Sequence, residues 1–244
     1  MVRSHTHSQH FLSGPRLVAE LVGHSNIRKN DIVYDLGAGS GVISSVLAKR
    51  CREVIAVEIE PHALAMLRKN MAHHDNVTVL KQDILQVNPP SERYKIFSNI
   101  PFHLSAQIVR KFTESPHPPQ AIYFIVQKQF ARKLVPGDDH FTSQLGSQLG
   151  IAYTARIRKP LRKTDFTPPP AVDTVLLELK RRDEPFIEKA RQQSYRDFVA
   201  RCYAEQKFFA TTPRTAVNIS SERTPSQLTL EQWVALYKKT AKIT

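Results

Sequence analysis

Four consecutive residues, Asn99, Ile100, Pro101 and Phe102, carry the clearest chemistry in the chain, at the end of a short apolar run from Lys95 to Asn99. The Asn99 amide oxygen and the Ile100 main-chain carbonyl are a pair of acceptors suited to the two hydrogens of an exocyclic amine such as that of adenine. Such an amine is a poor nucleophile, because its lone pair is delocalised into the ring. Two acceptors on its hydrogens draw the nitrogen toward tetrahedral geometry and aim the lone pair at an electrophile. Pro101 has no N–H and a fixed φ, which stiffens the turn. Phe102 offers a face on which a base stacks, a contact worth roughly 1–3 kcal/mol. No strong general base is needed, since the proton leaves after the amine has become cationic. Without context the same residues would be an ordinary strand end followed by a core Phe.

The electrophile is indicated upstream. Asp35-Leu36-Gly37-Ala38-Gly39-Ser40-Gly41 follows an apolar run and opens a helical pattern. Glycines there permit unusual backbone angles and close approach of the main chain to a ligand. Glu58 ends the next strand pattern and, at the switch point of a doubly wound sheet, would accept from both hydroxyls of a ribose. Asp83, after the third strand pattern, would accept from an adenine amino group. The rival is a dinucleotide site, but its fingerprint is G-x-G-x-x-G and this loop reads G-x-G-x-G. A nicotinamide cofactor brings a pyrophosphate to the helix N-terminus, whereas S-adenosylmethionine brings none. The loop with its two carboxylates therefore favours S-adenosylmethionine.

These residues need a sheet to hold them. Ile32–Asp35, Val54–Glu58, Val77–Leu80, Lys95–Asn99 and Ala121–Val126 read as strands, with helices from about Gly41 to Arg50, Pro61 to Ala72 and His103 to Phe112 between them. This alternation predicts an α/β fold with a parallel sheet covered on both faces. Ile151–Ile157 and Val175–Leu179 read as two further strands joined by a basic, Pro-rich segment, and Pro185–Gln206 and Leu230–Lys242 as helices. The expected division is a Rossmann-like catalytic domain over residues 1–179 and a small all-helical domain over 180–244. The latter is itself basic, with 13 Lys or Arg against 7 Asp or Glu.

The whole chain of 244 residues carries a formal charge of +13, an excess that favours polyanionic partners through counterion release. Two cysteines, Cys51 and Cys202, make neither a disulfide framework nor a zinc site, which fits a reducing cytoplasm. His5, His7 and His10 alternate on a polar segment without Cys or acidic partners and read as solvated, so no metal is expected. The first ten residues have no apolar core of a secretory signal, and no stretch approaches a membrane span. A cytoplasmic monomer is the expectation.

Taken together, Ser8-Gln9-His10-Phe11-Leu12, the Asp35–Gly41 loop, Val57-Glu58-Ile59-Glu60, Gln82-Asp83-Ile84-Leu85, Asn99-Ile100-Pro101-Phe102 and Phe166-Thr167-Pro168-Pro169-Pro170-Ala171-Val172-Asp173 resemble the ribosomal RNA adenine N6-dimethyltransferase superfamily, especially its erythromycin-resistance (Erm) branch. The resemblance implies that His10, Leu12, Gly37, Gly39, Glu58, Asp83, Ile84 and Asn99 contact S-adenosylmethionine. It implies that Phe102 and Phe166 sandwich a flipped adenine whose N6 meets Asn99. Read on its own, Phe166 would be a core residue. Three departures stand out: His10 replaces the usual Asn, Phe102 the usual Tyr, and Gln127 a common Glu. The second keeps a stacking face and loses a hydroxyl.

Two cation clusters complete the picture. Arg156, Arg158, Lys159, Arg162 and Lys163 precede Phe166, and Lys128, Arg132 and Lys133 follow the fifth strand pattern. Both are expected near the carboxyl ends of the strands as RNA-phosphate contacts. The reading is an Erm-type enzyme acting on 23S rRNA before subunit assembly, with macrolide, lincosamide and streptogramin B resistance as the consequence. Its alternatives are the housekeeping small-subunit rRNA dimethylase and an idle RNA-binding assembly factor of the same fold. Ile100 and the short helical tail favour the first, and intact Gly37, Glu58, Asp83 and Asn99 disfavour the last. A DNA adenine methyltransferase would usually carry Asp-Pro-Pro-Tyr as its tetrad.

Overall fold

The structure is a computed structural model, and it describes residues 11–137 and 141–241. In chain order, β1 (Phe11–Leu12) and α1 (Pro15–Gly23) lead into β2 (Ile32–Leu36), α2 (Val42–Ala48), β3 (Glu53–Glu58), α3 (Pro61–Met71) and β4 (Val77–Lys81). Then come β5 (Tyr94–Asn99), α4 (Ser105–Thr113), β6 (Ala121–Gln127), α5 (Lys128–Leu134), α6 (Gln144–Leu149), β7 (Tyr153–Leu161), β8 (Phe166–Thr167) and β9 (Thr174–Arg181). Helices α7 (Gln192–Ala204), α8 (Gln206–Thr211) and α9 (Leu230–Thr240) follow.

Every residue of β2, and all but the last of β5 and β6, is buried. Such strands read as continuous apolar runs because helices cover both faces of a parallel sheet. The seven strands lie in the order β4-β3-β2-β5-β6-β9-β7. The pairs β4–β3, β3–β2, β2–β5 and β5–β6 are all parallel. Strands β3 and β4 thus extend from one side of β2, and β5 and β6 from the other. The order switches between β2 and β5, and ligands of such sheets bind at the carboxyl ends beside that point. The expected α/β class with a helical C-terminal part is what the chain adopts.

Strand β9 runs against β6, since the Lys128 N–H donates to the Asp173 carbonyl (2.9 Å) and the Tyr123 hydroxyl to Glu178 (2.9 Å). Strand β7 runs against β9, as the Arg158–Glu178 ion pair (3.7 Å) and the Lys163 bond to the Ala171 carbonyl (3.1 Å) show. The residues after Leu161 therefore leave the sheet at its carboxyl end. The basic segment expected as a connector after Ile157 begins as part of this strand: β7 continues through Arg158, Lys159, Pro160 and Leu161. An edge strand tolerates Pro and charge because one side has no ladder to maintain.

Two compact units divide the chain, Met1–Gln129 with Arg156–Leu179, and Phe130–Ala155 with Lys180–Thr244. The second unit is thus not the C-terminal segment alone but also takes Phe130–Ala155. The reason lies in its core, where Phe141 and Ile151 pack with Tyr195, Phe209, Trp233 and Leu236. The helix expected from Pro185 starts only at Gln192, after a short 3₁₀ turn at Lys189–Arg191. The Gln192 side chain donates back to the Ile187 carbonyl (3.0 Å), and Ile187 is buried as the anchor of the preceding segment. Among the described residues no helix is long and apolar enough to cross a membrane.

Candidate active site

The turn after β2 is built from left-handed glycines: Gly37, Gly39 and Gly41 have φ of 74°, 56° and 93°. That region costs a side-chain-bearing residue roughly 1–2 kcal/mol. At Gly41 a Cβ would also lie 2.8 Å from Leu67 Cδ1 and 3.0 Å from Met71 Cε, so the ends of those two α3 side chains would have to shift. The Gly37 and Ala38 N–H groups both donate to the Val57 carbonyl (2.8 and 2.9 Å), pinning the turn to β3.

Glu58, at the end of β3, does more than its sequence position suggests. One carboxylate oxygen accepts from the Gly39 N–H (2.9 Å), the other from the N–H groups of Ile59 (2.8 Å) and Glu60 (2.9 Å). It is only 6% exposed, so it staples the glycine turn while still lining the cavity. Asp83 caps the 3₁₀ turn Ile84–Gln86 through one oxygen, bonded to the Leu85 N–H (2.9 Å). Its other oxygen has no partner among the described residues. Asp35 is fully buried, and burial, reinforced by the charge of Glu58, pushes its carboxyl up to about 7. Its Oδ2 accepts from the Ser44 hydroxyl (2.7 Å), tying β2 to α2, whereas Oδ1 is buried without a partner among the described residues.

Across the switch point, Asn99 ends β5 in register with Ile125 of β6. Ile100 is buried, and Pro101 leads into a 3₁₀ turn at Phe102–Leu104. That turn is closed by the Leu104 N–H on the Pro101 carbonyl (3.0 Å) and the Ser105 hydroxyl on the Phe102 carbonyl (2.9 Å). A cavity of about 290 Å³ opens between the two sides, near the lower end for small-molecule sites. Leu12, Gly37, Gly39, Glu58, Asp83, Ile84, Asn99, Ile100, Pro101 and Phe102 all line it. His10 lies outside the described residues.

Phe166 stands apart from the other expected site residues. It is 2% exposed, does not line the cavity, and belongs to the core with Leu12, its partner across the β1–β8 ladder. Phe166→Leu is accordingly expected to cost about 1–3 kcal/mol of stability, leaving kcat per folded molecule near the wild type. Phe102→Ala should leave Tm nearly unchanged and cost about tenfold or more in kcat/KM for RNA. Melting curves beside steady-state kinetics check both; a tenfold loss of kcat in Phe166→Leu at unchanged Tm would return that ring to the site.

The cavity also has walls that sequence reasoning missed: Phe11, Ile59, Glu60 and His103. Phe11 and Ile59 are 44% and 54% exposed, unusual for large apolar residues. Sequence alone gives no such signal, because an Ile after a strand-ending acid reads as core. Glu60 serves the local fold, its carboxylate accepting from the His62 and Ala63 N–H groups to cap α3 (3.0 and 2.6 Å).

None of the expected RNA-contacting cations lines the cavity. Lys128, Arg162 and Lys163 sit at the carboxyl end of the sheet, after β6 and after β7. Arg156, Arg158 and Lys159 lie along β7, where Arg158 pairs with Glu178 and Lys159 with Glu20. Arg162 pairs with Asp165 (3.0 Å) and Lys128 with Asp173 (3.8 Å). Such partly exposed pairs are worth about 0–1 kcal/mol and yield readily to a phosphate. Arg132 and Lys133 belong to the second unit, exposed on the last turn of α5.

A glycine turn, two strand-end carboxylates and an Asn-Ile-Pro-Phe turn around one cavity of a doubly wound sheet define a class: a nucleoside-cofactor enzyme acting on an amine. The family model for ribosomal RNA adenine dimethylase matches residues 3–212, and the chain belongs to that family. It is therefore an S-adenosylmethionine-dependent rRNA adenine N6-methyltransferase, as its motifs suggested. An rRNA adenine N-6-methyltransferase of Escherichia coli is 30% identical over 234 residues, covering 91% of this chain and 92% of the relative. A ribosomal RNA small subunit methyltransferase A of Latilactobacillus sakei is 27% identical over 82% of this chain and 70% of its own length. Among solved structures, the 23S rRNA methyltransferase ErmE superposes with a TM-score of 0.80 at 25% identity, covering 94% of this chain and 98% of that one.

Proposed function

We propose that this chain methylates N6 of an adenine in 23S rRNA and so protects the large subunit from macrolide, lincosamide and streptogramin B drugs. The observation carrying the chemistry is the single cavity lined on one side by Gly37, Glu58 and Asp83 and on the other by Asn99 to Phe102. The likeness to ErmE over nearly its whole length supports the 23S substrate, as does Ile100.

The residues fit the cofactor by donor type. Glu58 and Asp83 are acceptors for ribose hydroxyls and an adenine amine, Gly37 and Gly39 keep side chains out of the way, and Leu12 and Ile84 supply apolar walls. Bound there, S-adenosylmethionine supplies an electrophilic methyl carbon. Asn99 Oδ1 and the Ile100 carbonyl accept the two N6 hydrogens and direct the nitrogen lone pair at that carbon. Phe102 stacks on the extruded base, and Pro101 holds the turn rigid. With the cofactor bound, its sulfonium would supply the methyl group and keep the electron pair of the C–S bond, and the proton left on the cationic N6 would pass to water while Asn99 and the Ile100 carbonyl hold the amine.

Lys128, Arg162 and Lys163, at the carboxyl end of the sheet, hold phosphates flanking the extruded nucleotide, and Arg156, Arg158 and Lys159 extend the track; Arg132 and Lys133, in the second unit, contact phosphate in their own right. Replacing Lys128, Arg162 and Lys163 together by Gln should raise KM for RNA and flatten its dependence on log salt by about two units. The matching triple change at Arg156, Arg158 and Lys159 should do less; an unchanged slope in the first variant would remove those cations from the RNA site.

The substrate is tested by incubating the protein with labelled S-adenosylmethionine and naked 23S rRNA, mature small subunits or duplex DNA. Label in 23S rRNA alone is expected. Label in small subunits would favour the housekeeping reaction, to which the small-subunit relative points, and label in none would leave an idle binder.

A further inference from the structure

Strands β2 and β5 deliver the two halves of the site, yet their backbone ladder is short. It pairs Ile32, Val33 and Tyr34 with Tyr94, Lys95 and Ile96, and goes no further. Strand β2 meanwhile continues beside β3 to Leu36↔Val57, and β5 continues beside β6 to Asn99↔Ile125. The two strands thus part over their last residues, and this parting opens the crevice at the switch point. One side chain spans it: the Ser98 hydroxyl accepts the Leu36 N–H at 2.7 Å, and Ser98 is fully buried. Leu36 immediately precedes the glycine turn, and Ser98 immediately precedes Asn99.

We infer that Ser98 is a positioning residue whose hydroxyl sets the gap between the cofactor side and the amine-holding side of the active site. A buried N–H at the end of β2 must find an acceptor. Where a backbone carbonyl of β5 would draw the strands together and close the crevice, a serine oxygen lengthens the reach while keeping the bond. Reaction rates respond steeply to such spacing, since a displacement of about 1 Å between reacting groups costs on the order of 100-fold. Ser98 touches neither reactant; it acts through the placement of Asn99 relative to Gly37. The inference rests on methyl transfer across this cavity.

The experiment compares the wild type with Ser98→Ala, Ser98→Cys and Ser98→Thr, and with Ile122→Val, a core truncation in the neighbouring β6. Ser98→Ala is expected to lower kcat about 10- to 100-fold, with the calorimetric Kd for S-adenosylmethionine within about threefold of wild type. Ser98→Thr, which keeps the hydroxyl, should recover most of kcat, and Ser98→Cys, with a weak acceptor, should fall between. Hydrogen exchange of the Leu36 amide should quicken in Ser98→Ala and not in Ile122→Val. The inference is overturned if kcat of Ser98→Ala stays within about twofold, if it falls only as Ile122→Val does at equal Tm loss, or if cofactor affinity drops in step with it. A wild type that labels no RNA would overturn the methyl-transfer reading instead, and the Leu36 exchange rate would still report whether Ser98 bridges the strands.

Discussion

Asn99→Ala is expected to reduce single-turnover methyl transfer by roughly 10²–10³-fold or more, the scale seen when one preorganised hydrogen-bonding group is removed from a charge-developing centre. The amine loses one of two acceptors, so its lone pair stays in the ring, while the Ile100 carbonyl remains on its rigid turn. Asn99 closes β5 in register with Ile125, and its replacement leaves that ladder intact, so Tm should change little. The cofactor Kd should stay within about threefold, because Glu58, Asp83 and the glycine turn are untouched. Rapid-quench measurement with labelled S-adenosylmethionine, beside calorimetry, separates the two quantities. Undiminished transfer would remove Asn99 from the chemistry, and a matching loss of cofactor affinity would make it a binding residue.

Glu58→Ala should produce the largest loss of cofactor affinity, about 100-fold or more. Its carboxylate holds the Gly39, Ile59 and Glu60 N–H groups, and hydrogen bonds to charged groups are worth about 1.5–3 kcal/mol each. Without it the glycine turn loses its staple and a ribose loses its acceptor together. The Tm should therefore fall as well. Glu58→Gln, with one oxygen for the work of two, should lie between. Because the ribose is common to substrate and product cofactor, S-adenosylmethionine and S-adenosylhomocysteine should weaken in parallel. Calorimetry with both ligands checks this, and a Kd within threefold of wild type in Glu58→Ala would refute the assignment.

Much of the cavity was legible from local pattern. Gly37, Glu58, Asp83 and the Asn99–Phe102 tetrad each end a strand of one parallel sheet, and strand ends on one edge of such a sheet must converge. Phe166 was not legible. Its type suits either a stacking face or a core, and its burial beside Leu12 depends on a strand pairing between distant parts of the chain. The placement of the cations was not legible either: composition counts charge, but the direction of β7 determines that Arg156 and Arg158 run along the sheet edge while Arg162 and Lys163 follow its carboxyl end.

The amino-acid order alone therefore determined the kind of sheet, the adenosyl-type loop and the amine-holding turn, because each depends on neighbours within a few residues. Tertiary structure alone decided that Glu58 staples the glycine turn, that Ser98 reaches Leu36 across the parting strands, and that Phe130–Ala155 joins the second unit. Those outcomes depend on groups brought together from distant parts of the chain, where packing, rather than spacing along it, chooses the partner.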